Sequence, residues 1–360
     1  MKLLLLGDLS PTEMTNPLFE QQKVDALFTD TRTLFNDNDL CFLNLECALT
    51  HSCQSIEKFG PALKATPNTA KVLKELGVSC CGISNNHVFD YGIQGVRETV
   101  QSLQEAEIAY TGFGANQQDA RTDFVVERDG ERLCVIAVCE HEYSYALEDR
   151  AGCRAYDPYD TLADIRKAKE RYDTVVVMYH GGKEFCAYPS PRLHKACRAM
   201  AENGADVVLC QHSHCVGCYE QYHNCHILYG QGNFHFIKPG MPEFWYNSLA
   251  VQVDTQSGAI SFTPLVCEGH KVSLAKGKER ESIEREFAER NAELASGMWR
   301  EGWHRFCEKN RQDYTQVIGE AFCPEAKEEA NKRFGHYLDC EAHTDVWREL
   351  FPTANHTNER

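Results

Sequence analysis

Over the first 265 residues, short apolar runs of strand length alternate with segments whose apolar residues recur at three and four, and a chain patterned this way closes as an α/β fold. Residues 2–6, 40–45, 79–83, 132–138, 174–179, 207–210, 226–229 and 249–253 read as strands, and residues 68–76, 93–106, 162–172 and 192–203 as helices. Pro67 and Pro191 stand where first-turn prolines belong, and Gly77 and Gly204 where helices stop. Asp129-Gly130 and Ser257-Gly258, each between two strand-like runs, predict hairpins, so part of the sheet is antiparallel. After Cys267 the pattern turns to long charged helices. The predicted organisation is a core domain over 1–265 and a helical region over 266–360 that packs on the core or forms a lid, with Trp299 and Trp303 as its anchor.

Charge and composition narrow the function. With 37 Lys and Arg against 53 Asp and Glu, the chain of 360 residues carries a formal charge of −16, which disfavours nucleic acid and anionic lipid as partners. An anionic substrate would need a bound cation to draw it in. The opening MKLLLLGDLS is too short an apolar run for a signal-peptide core or a membrane anchor, so the expected location is cytoplasmic. The 18 cysteines are then expected as reduced, mostly buried thiols.

The chemistry-bearing side chains fall at the ends of predicted strands. Asp8 closes the first, Glu46 the second, Asn86 and His87 follow the third, His180 ends VVVMYH, and His212 and His214 follow VVLC. Ligands of open α/β sheets bind outside the carboxyl ends of the strands, where these five segments could converge. Two carboxylates, one amide oxygen and three imidazoles suit two borderline divalent ions such as Mn, Fe or Zn. If His212-Ser213-His214 stays extended, both imidazoles face one side. A rival metal site is Cys215-Val-Gly-Cys218, flanked by Cys210, Cys225, His223 and His226, but only one C-x2-C is present. His51, His194, His304, His336, His343 and His356 lack partner spacing and are expected at the surface.

Gly7-Asp8, Asn44 to Glu46, Asn85 to Gly92 (NNHxxDxG), His180 to Glu184 (HGG-E), His212 to His214 and Tyr229 to Phe234 (YGQGNF) together resemble the CapA-type capsule-biosynthesis family over about residues 1–265. That family is linked to poly-γ-glutamate synthesis, and its fold is similar to calcineurin-like metallophosphoesterases. The resemblance implies an αββα sandwich, two mixed sheets flanked by helices, with two divalent metal ions. Asp8 and His214 would hold one ion, Asn86, His180 and His212 the other, and Glu46 would bridge them. His87 would meet the reacting oxygen of the substrate, oriented by Asp90. Two positions depart from the phosphoesterase pattern: Ser10 replaces a histidine ligand, and Glu46 replaces an aspartate. Asn44, Lys64, Glu184, Asn233 and His235 are further candidate substrate contacts.

The implied function is a metal-dependent hydrolase acting on a phosphoester or a γ-glutamyl or peptide-like bond of a small-molecule or peptide-like anionic substrate. The alternatives are a non-catalytic scaffold or regulator of polymer synthesis, and a metal-assisted peptide epimerase. The epimerase would require a second base, Glu184 or His235, across the crevice from His87.

Overall fold

The four consecutive leucines of the first strand part to opposite faces: Leu3 and Leu5 point into one apolar core and Leu4 and Leu6 into another. A strand apolar on both faces must be covered on both, which dictates a layered structure. A computed structural model of the chain describes residues 1–352 other than His141, Pro324 and Ala326. The strands that matter here are, in chain order, β1 (Lys2–Leu9), β2 (Leu40–Leu45), β3 (Cys80–Gly82), β4 (Ala109–Thr111), β5 (Phe124–Arg128), β6 (Glu131–Cys139), β7 (Thr174–His180), β8 (Val207–Gln211), β9 (Tyr219–Tyr222), β10 (Cys225–Leu228), β11 (Asn233–His235), β12 (Asn247–Asp254), β13 (Ala259–Glu268) and β14 (Lys271–Leu274).

The first sheet runs β14-β13-β12-β1-β2-β3-β4, with β11 also beside β1, and the second runs β9-β10-β8-β7-β6-β5. In the first, β1, β2, β3 and β4 are parallel and the β12 to β14 side is antiparallel. In the second, β6, β7, β8 and β10 are parallel, with antiparallel β5 and β9 at its edges. Leu3, Leu5 and Phe42 of the first sheet meet Val135, Val176, Met178 and Leu209 of the second in the central core. Helix Thr69–Leu76 covers the outer face of the first sheet through Val72 and Leu73, and helix Pro191–Glu202 that of the second through Leu193, Cys197 and Met200. This is the two-sheet sandwich flanked by helices that the family resemblance implies.

Both predicted hairpins form. Asp129 and Gly130 take φ of 53° and 82° between β5 and β6, the two left-handed residues a two-residue turn requires, and Gly258 at φ 67° closes the turn between β12 and β13. Two boundaries differ from expectation. β1 does not stop at Leu6: it changes partner from β12 to β11, so that Asp8 lies within the strand. The helix expected from residue 162 begins at Pro158, because the Asp157 side chain accepts from the backbone of Tyr159 and Asp160.

From Gly277 to Leu350 the described residues are mostly helical. Helix Gly277–Ser296 sends Ile283 into the central core, and Trp299 joins the core on the outer face of the second sheet. Helices Trp299–Lys309, Arg311–Ala321, Glu328–Asp339 and Glu341–Leu350 gather around Trp303, Tyr314, Tyr337 and Val346 in a further core that also takes in Cys186 of the sandwich. A buried charge network ties the last of them to the sandwich. Arg192 donates to Asp345 Oδ2 at 2.9 Å and to Glu140 Oε1 at 2.7 Å, while the Gly182 backbone N–H donates to Glu140 Oε2 at 2.9 Å.

The histidines expected at the surface divide. His194 stacks on Trp299 with ring centroids 4.8 Å apart, and its burial pushes its pKa down to about 4. His343 is buried, stacked on Tyr337 at 3.9 Å, and His336 stacks on Tyr143 at 5.4 Å. Aromatic neighbours supplied by distant helices put these rings inside, which spacing along the chain does not reveal. His356 lies outside the described residues. All 18 cysteines are free thiols, 16 of them buried. Cys215, Cys218, Cys210 and Cys225 are not gathered into a ligand set; Cys210 faces Cys197 instead, at 3.5 Å between sulfurs.

Candidate metal centre

The carboxyl ends of β1, β2 and β3 in one sheet and of β7 and β8 in the other open on the same side, and the predicted ligands meet there. Asp8, Glu46, His180, His212 and His214 are all buried, with Asp8 and Glu46 fully so. Two sets of three ligand atoms, each within 4.8 Å of one another, form among the described residues: Asp8, Glu46 and His180, and Glu46, His212 and His214. Glu46 belongs to both, as a bridging carboxylate must. The sets divide the histidines differently from the resemblance, grouping His180 with Asp8 and His212 with His214. Asn86 joins from the His180 side, its Oδ1 2.9 Å from His180 Nε2.

A close backbone approach makes the convergence possible. A side-chain carbon at Gly7 would lie 2.0 Å from the Gly232 carbonyl oxygen, so only glycine lets β1 run against the segment that leads into Asn233. The His212-Ser213-His214 segment is not extended. His212 and His214 sit in left-handed backbone, φ 81° and 54°, and the turn itself presents both rings to the centre, 5.9 Å apart. Non-glycine residues in that region carry strain, which tends to gather at functional sites.

A ring of amides holds the ligands. Asn44 Nδ2 donates to Asp8 Oδ1 at 2.8 Å and lies 3.1 Å from His180 Nδ1. Asn85 Nδ2 donates in turn to Asn44 Oδ1 at 3.1 Å. The His212 backbone N–H donates to Asp8 Oδ2 at 3.0 Å. His214 Nδ1 meets Asn233 Oδ1 at 2.8 Å, and Asn233 Nδ2 donates to the Trp245 carbonyl at 3.0 Å, which leaves His214 Nε2 for an ion. Asn44 and Asn233 are therefore buried supports of the ligands and not substrate contacts. His235 is a correction of another kind. It is fully buried, edge-on to Phe19 at 5.1 Å with Nε2 3.1 Å from the His270 carbonyl, so it cannot cap the crevice.

The electrostatics of the bare side chains are unfavourable. Burial and the Glu46 charge push Asp8 up to about 6, burial raises Glu46, and burial pushes His180 down to about 4. Burial opposes the charged form of His214 too, but Glu46 and Asp8 outweigh it and raise its pKa. Neither carboxylate oxygen of Glu46 has a hydrogen-bond partner among the described residues. Its Oε1 faces His180 Nε2 at 3.4 Å and His214 Nε2 at 3.9 Å, and a fully buried carboxylate without hydrogen bonds is costly unless a cation neutralises it. The donor set therefore fits divalent ions, which Asp8, Glu46, Asn86, His180, His212 and His214 would hold.

His87 stands beside this centre and outside the two ligand sets. Its Nδ1 lies 2.6 Å from Asp90 Oδ2, and Lys58 pairs with the other oxygen of Asp90. Lys58 Nζ is also 3.2 Å from His87 Nδ1. His87 and Glu184 both border a cavity of about 940 Å³ and a second of about 650 Å³. Lys64 lines the larger one and places its ammonium 5.0 Å from the centre of the Tyr91 ring. Sequence reasoning missed Lys58, a loop lysine without any pattern. It also missed Glu140, although a carboxylate directly after β6 obeys the same strand-end rule that picks out Glu46.

A family model described as bacterial capsule synthesis protein PGA_cap matches residues 2–238, a span that holds every candidate metal ligand. The chain is 27% identical over 245 residues to the capsule biosynthesis protein CapA of Bacillus anthracis, covering 66% of this chain and 60% of that one. It is 26% identical over 235 residues to the PGA biosynthesis protein CapA of Bacillus subtilis strain 168, covering 64% and 62%. The chain thus spans about three-fifths of the length of these relatives. Among solved structures, a putative 5'-nucleotidase from Staphylococcus aureus in complex with alpha-ketoglutarate aligns over 80% of this chain and 58% of that one, at 13% identity and a TM-score of 0.45. A hypothetical protein from Thermus thermophilus aligns over 76% and 96%, at 16% identity and a TM-score of 0.43. With the model matching about two-thirds of the sequence, from β1 to just beyond β11, this chain belongs to the PGA_cap family of bacterial capsule synthesis proteins.

Proposed function

We propose that the protein is a dinuclear metal-dependent hydrolase of capsule or poly-γ-glutamate metabolism, cutting a phosphoester or a γ-glutamyl or peptide-like bond in an anionic substrate. The observation that carries this reading is Glu46: buried, without a hydrogen bond at either oxygen among the described residues, facing His180 Nε2 at 3.4 Å, and shared by two three-residue ligand sets. Divalent ions held there would supply a Lewis acid for the charge that develops in the transition state and would acidify a water. The chain's own residues supply the rest. With His87 Nδ1 committed to Asp90, His87 Nε2 can hold a proton and deliver it to a leaving group in the adjoining cavity. Lys58 pairs with Asp90 and holds it in place. His87 and Asp90 are in neither ligand set, so a purely structural metal site would have no use for them. A scaffold without bound metal is an outcome of the test below. The epimerase reading loses His235 as its second base and retains only Glu184. Buried free thiols throughout the chain support a reducing, cytoplasmic setting. Among the described residues no helix is long and apolar enough to cross a membrane.

The test is elemental analysis of protein purified without chelator, beside Glu46→Gln and His87→Asn. We expect bound transition metal in the wild type and in His87→Asn, and its loss in Glu46→Gln. On metal-loaded protein, aryl phosphomonoester, aryl phosphodiester and γ-glutamyl anilide probes should show turnover on one class of bond, with His87→Asn slower by roughly 10²- to 10⁴-fold. A metal-free wild type, or turnover indifferent to His87, would sink the hydrolase.

A further inference from the structure

The cleft has two arms, and the polypeptide that builds them differs. The cavity of about 940 Å³ is walled by the matched part of the chain together with the segment just beyond it, with Phe236, Met241 and Trp245 among its apolar groups. The cavity of about 650 Å³ lies on the other side of His87, and one of its walls comes from the C-terminal helices, far beyond residue 238. Lys309 from helix Trp299–Lys309, Tyr314 from Arg311–Ala321, His336 from Glu328–Asp339 and His343 from Glu341–Leu350 all line it. Opposite them stand Lys58 and Lys183 from the sandwich.

Charge bookkeeping in this arm leaves one cation in excess. Of its two carboxylates, Asp313 is taken up by Arg333 and accepts from the Tyr337 hydroxyl, while Glu184 lies 4.0 Å from Lys183. Lys58 is neutralised by Asp90. Lys309 is exposed and has no ion pair among the described residues. In a protein of net charge −16, one uncompensated lysine lining a cavity beside the candidate metal centre, with the paired Lys58 and Lys183 in the same lining, marks a place for negative charge.

We infer that the four terminal helices build an oxyanion-accepting arm of the cleft, so that the substrate extends to both sides of the bond at the metal centre and carries a carboxylate or phosphate group on the side that enters this arm. The inference deepens the hydrolase reading and rests on it for the word substrate; the arm itself does not require catalysis. A terminal phosphomonoester of a small alcohol would leave the arm empty. A bond inside a longer anionic molecule would fill both.

The experiment uses full-length protein treated with chelator, so that neither ions nor turnover contribute. The probes are 6-benzamidohexanoate, with an aryl group for one arm and a carboxylate for the other, its neutral methyl ester, and 6-benzamidohexyl phosphate. Titration calorimetry should show at least one anionic probe binding roughly fivefold or more tightly than the ester, about what one exposed ion pair provides. Lys309→Glu should erase that margin, whereas Lys278→Glu, the same charge change on an exposed part of helix Gly277–Ser296, should keep it. The carboxylate and phosphate probes decide which oxyanion the arm prefers. Equal affinity for all three probes, or a margin that survives both Lys309→Glu and Lys183→Gln, overturns the inference. A margin that persists in a protein cleaving none of the test bonds overturns the hydrolase reading and leaves the arm standing.

Discussion

Asp8 and His180 lie 3.8 Å apart and titrate in opposite senses, which gives the metal-free protein a distinctive response to acid. Asp8 rises from 3.8 to about 6 on folding, so its contribution favours the fold below 3.8 and is lost as pH climbs through 6. His180 falls from 6.5 to about 4, so its contribution is present above 6.5 and lost as pH drops through 4. Between about 4 and 6 the two slopes nearly cancel. Asp8→Asn removes one of them. The chelated variant should therefore lose about 3 kcal/mol more stability than chelated wild type between pH 6 and 4, read from urea melts at each pH. Parallel pH profiles for the two proteins would mean that Asp8 does not share a buried site with His180. At this scale the sequence indicates which side chains converge, because metal-type side chains at strand ends are individually unremarkable but jointly rare. It was silent on Asn44 and Asn233 as supports and on His235 as a core residue: whether an amide faces a ligand or a substrate depends on neighbours far away in the chain.

At the scale of elements, the site depends on β1 passing from one neighbour to another. The close contact of Gly7 with Gly232 sets how near β11 approaches, and with it the distance between Asp8 on one strand and Asn233, the partner of His214, on the other. Gly7→Ala should cost roughly 1–3 kcal/mol by overpacking and weaken metal affinity as well, measured by thermal melts with and without chelator. If stability falls but metal content does not, the approach matters only for packing. Periodicity and turn chemistry revealed most strands and both hairpins, since apolar alternation and left-handed turn residues act locally. The left-handed turn at His212 to His214 was hidden, because nothing short of the surrounding backbone forces histidine into that conformation. The early end assigned to β1 has a related cause: Asp8 looks like a terminator until β11 is known to lie beside it.

For the whole molecule, the question is how the helical region is held to the sandwich. The charged pattern after Cys267 indicated helices and Trp299 as an anchor, but not which surface they cover, because their buried faces are aromatic and polar in a way that only the assembled cavity explains. Asp345→Ala would take one of its two carboxylate partners from half-buried Arg192 and leave it paired with Glu140 alone. It should destabilise the protein by roughly 1–3 kcal/mol, the loss of charge-assisted hydrogen bonds. It should also speed hydrogen exchange and proteolysis in residues 299–350 ahead of the sandwich; uniform protection across both parts would show that apolar packing alone holds the helices. Glu140 gives this attachment a wider meaning. One carboxylate grips both the loop that follows His180 and, through Arg192, the final helix. A chimera that grafts another C-terminal wall onto this scaffold must bring a counterpart of Asp345 with it, or the transplanted half will disturb the very loop whose neighbour it was meant to spare.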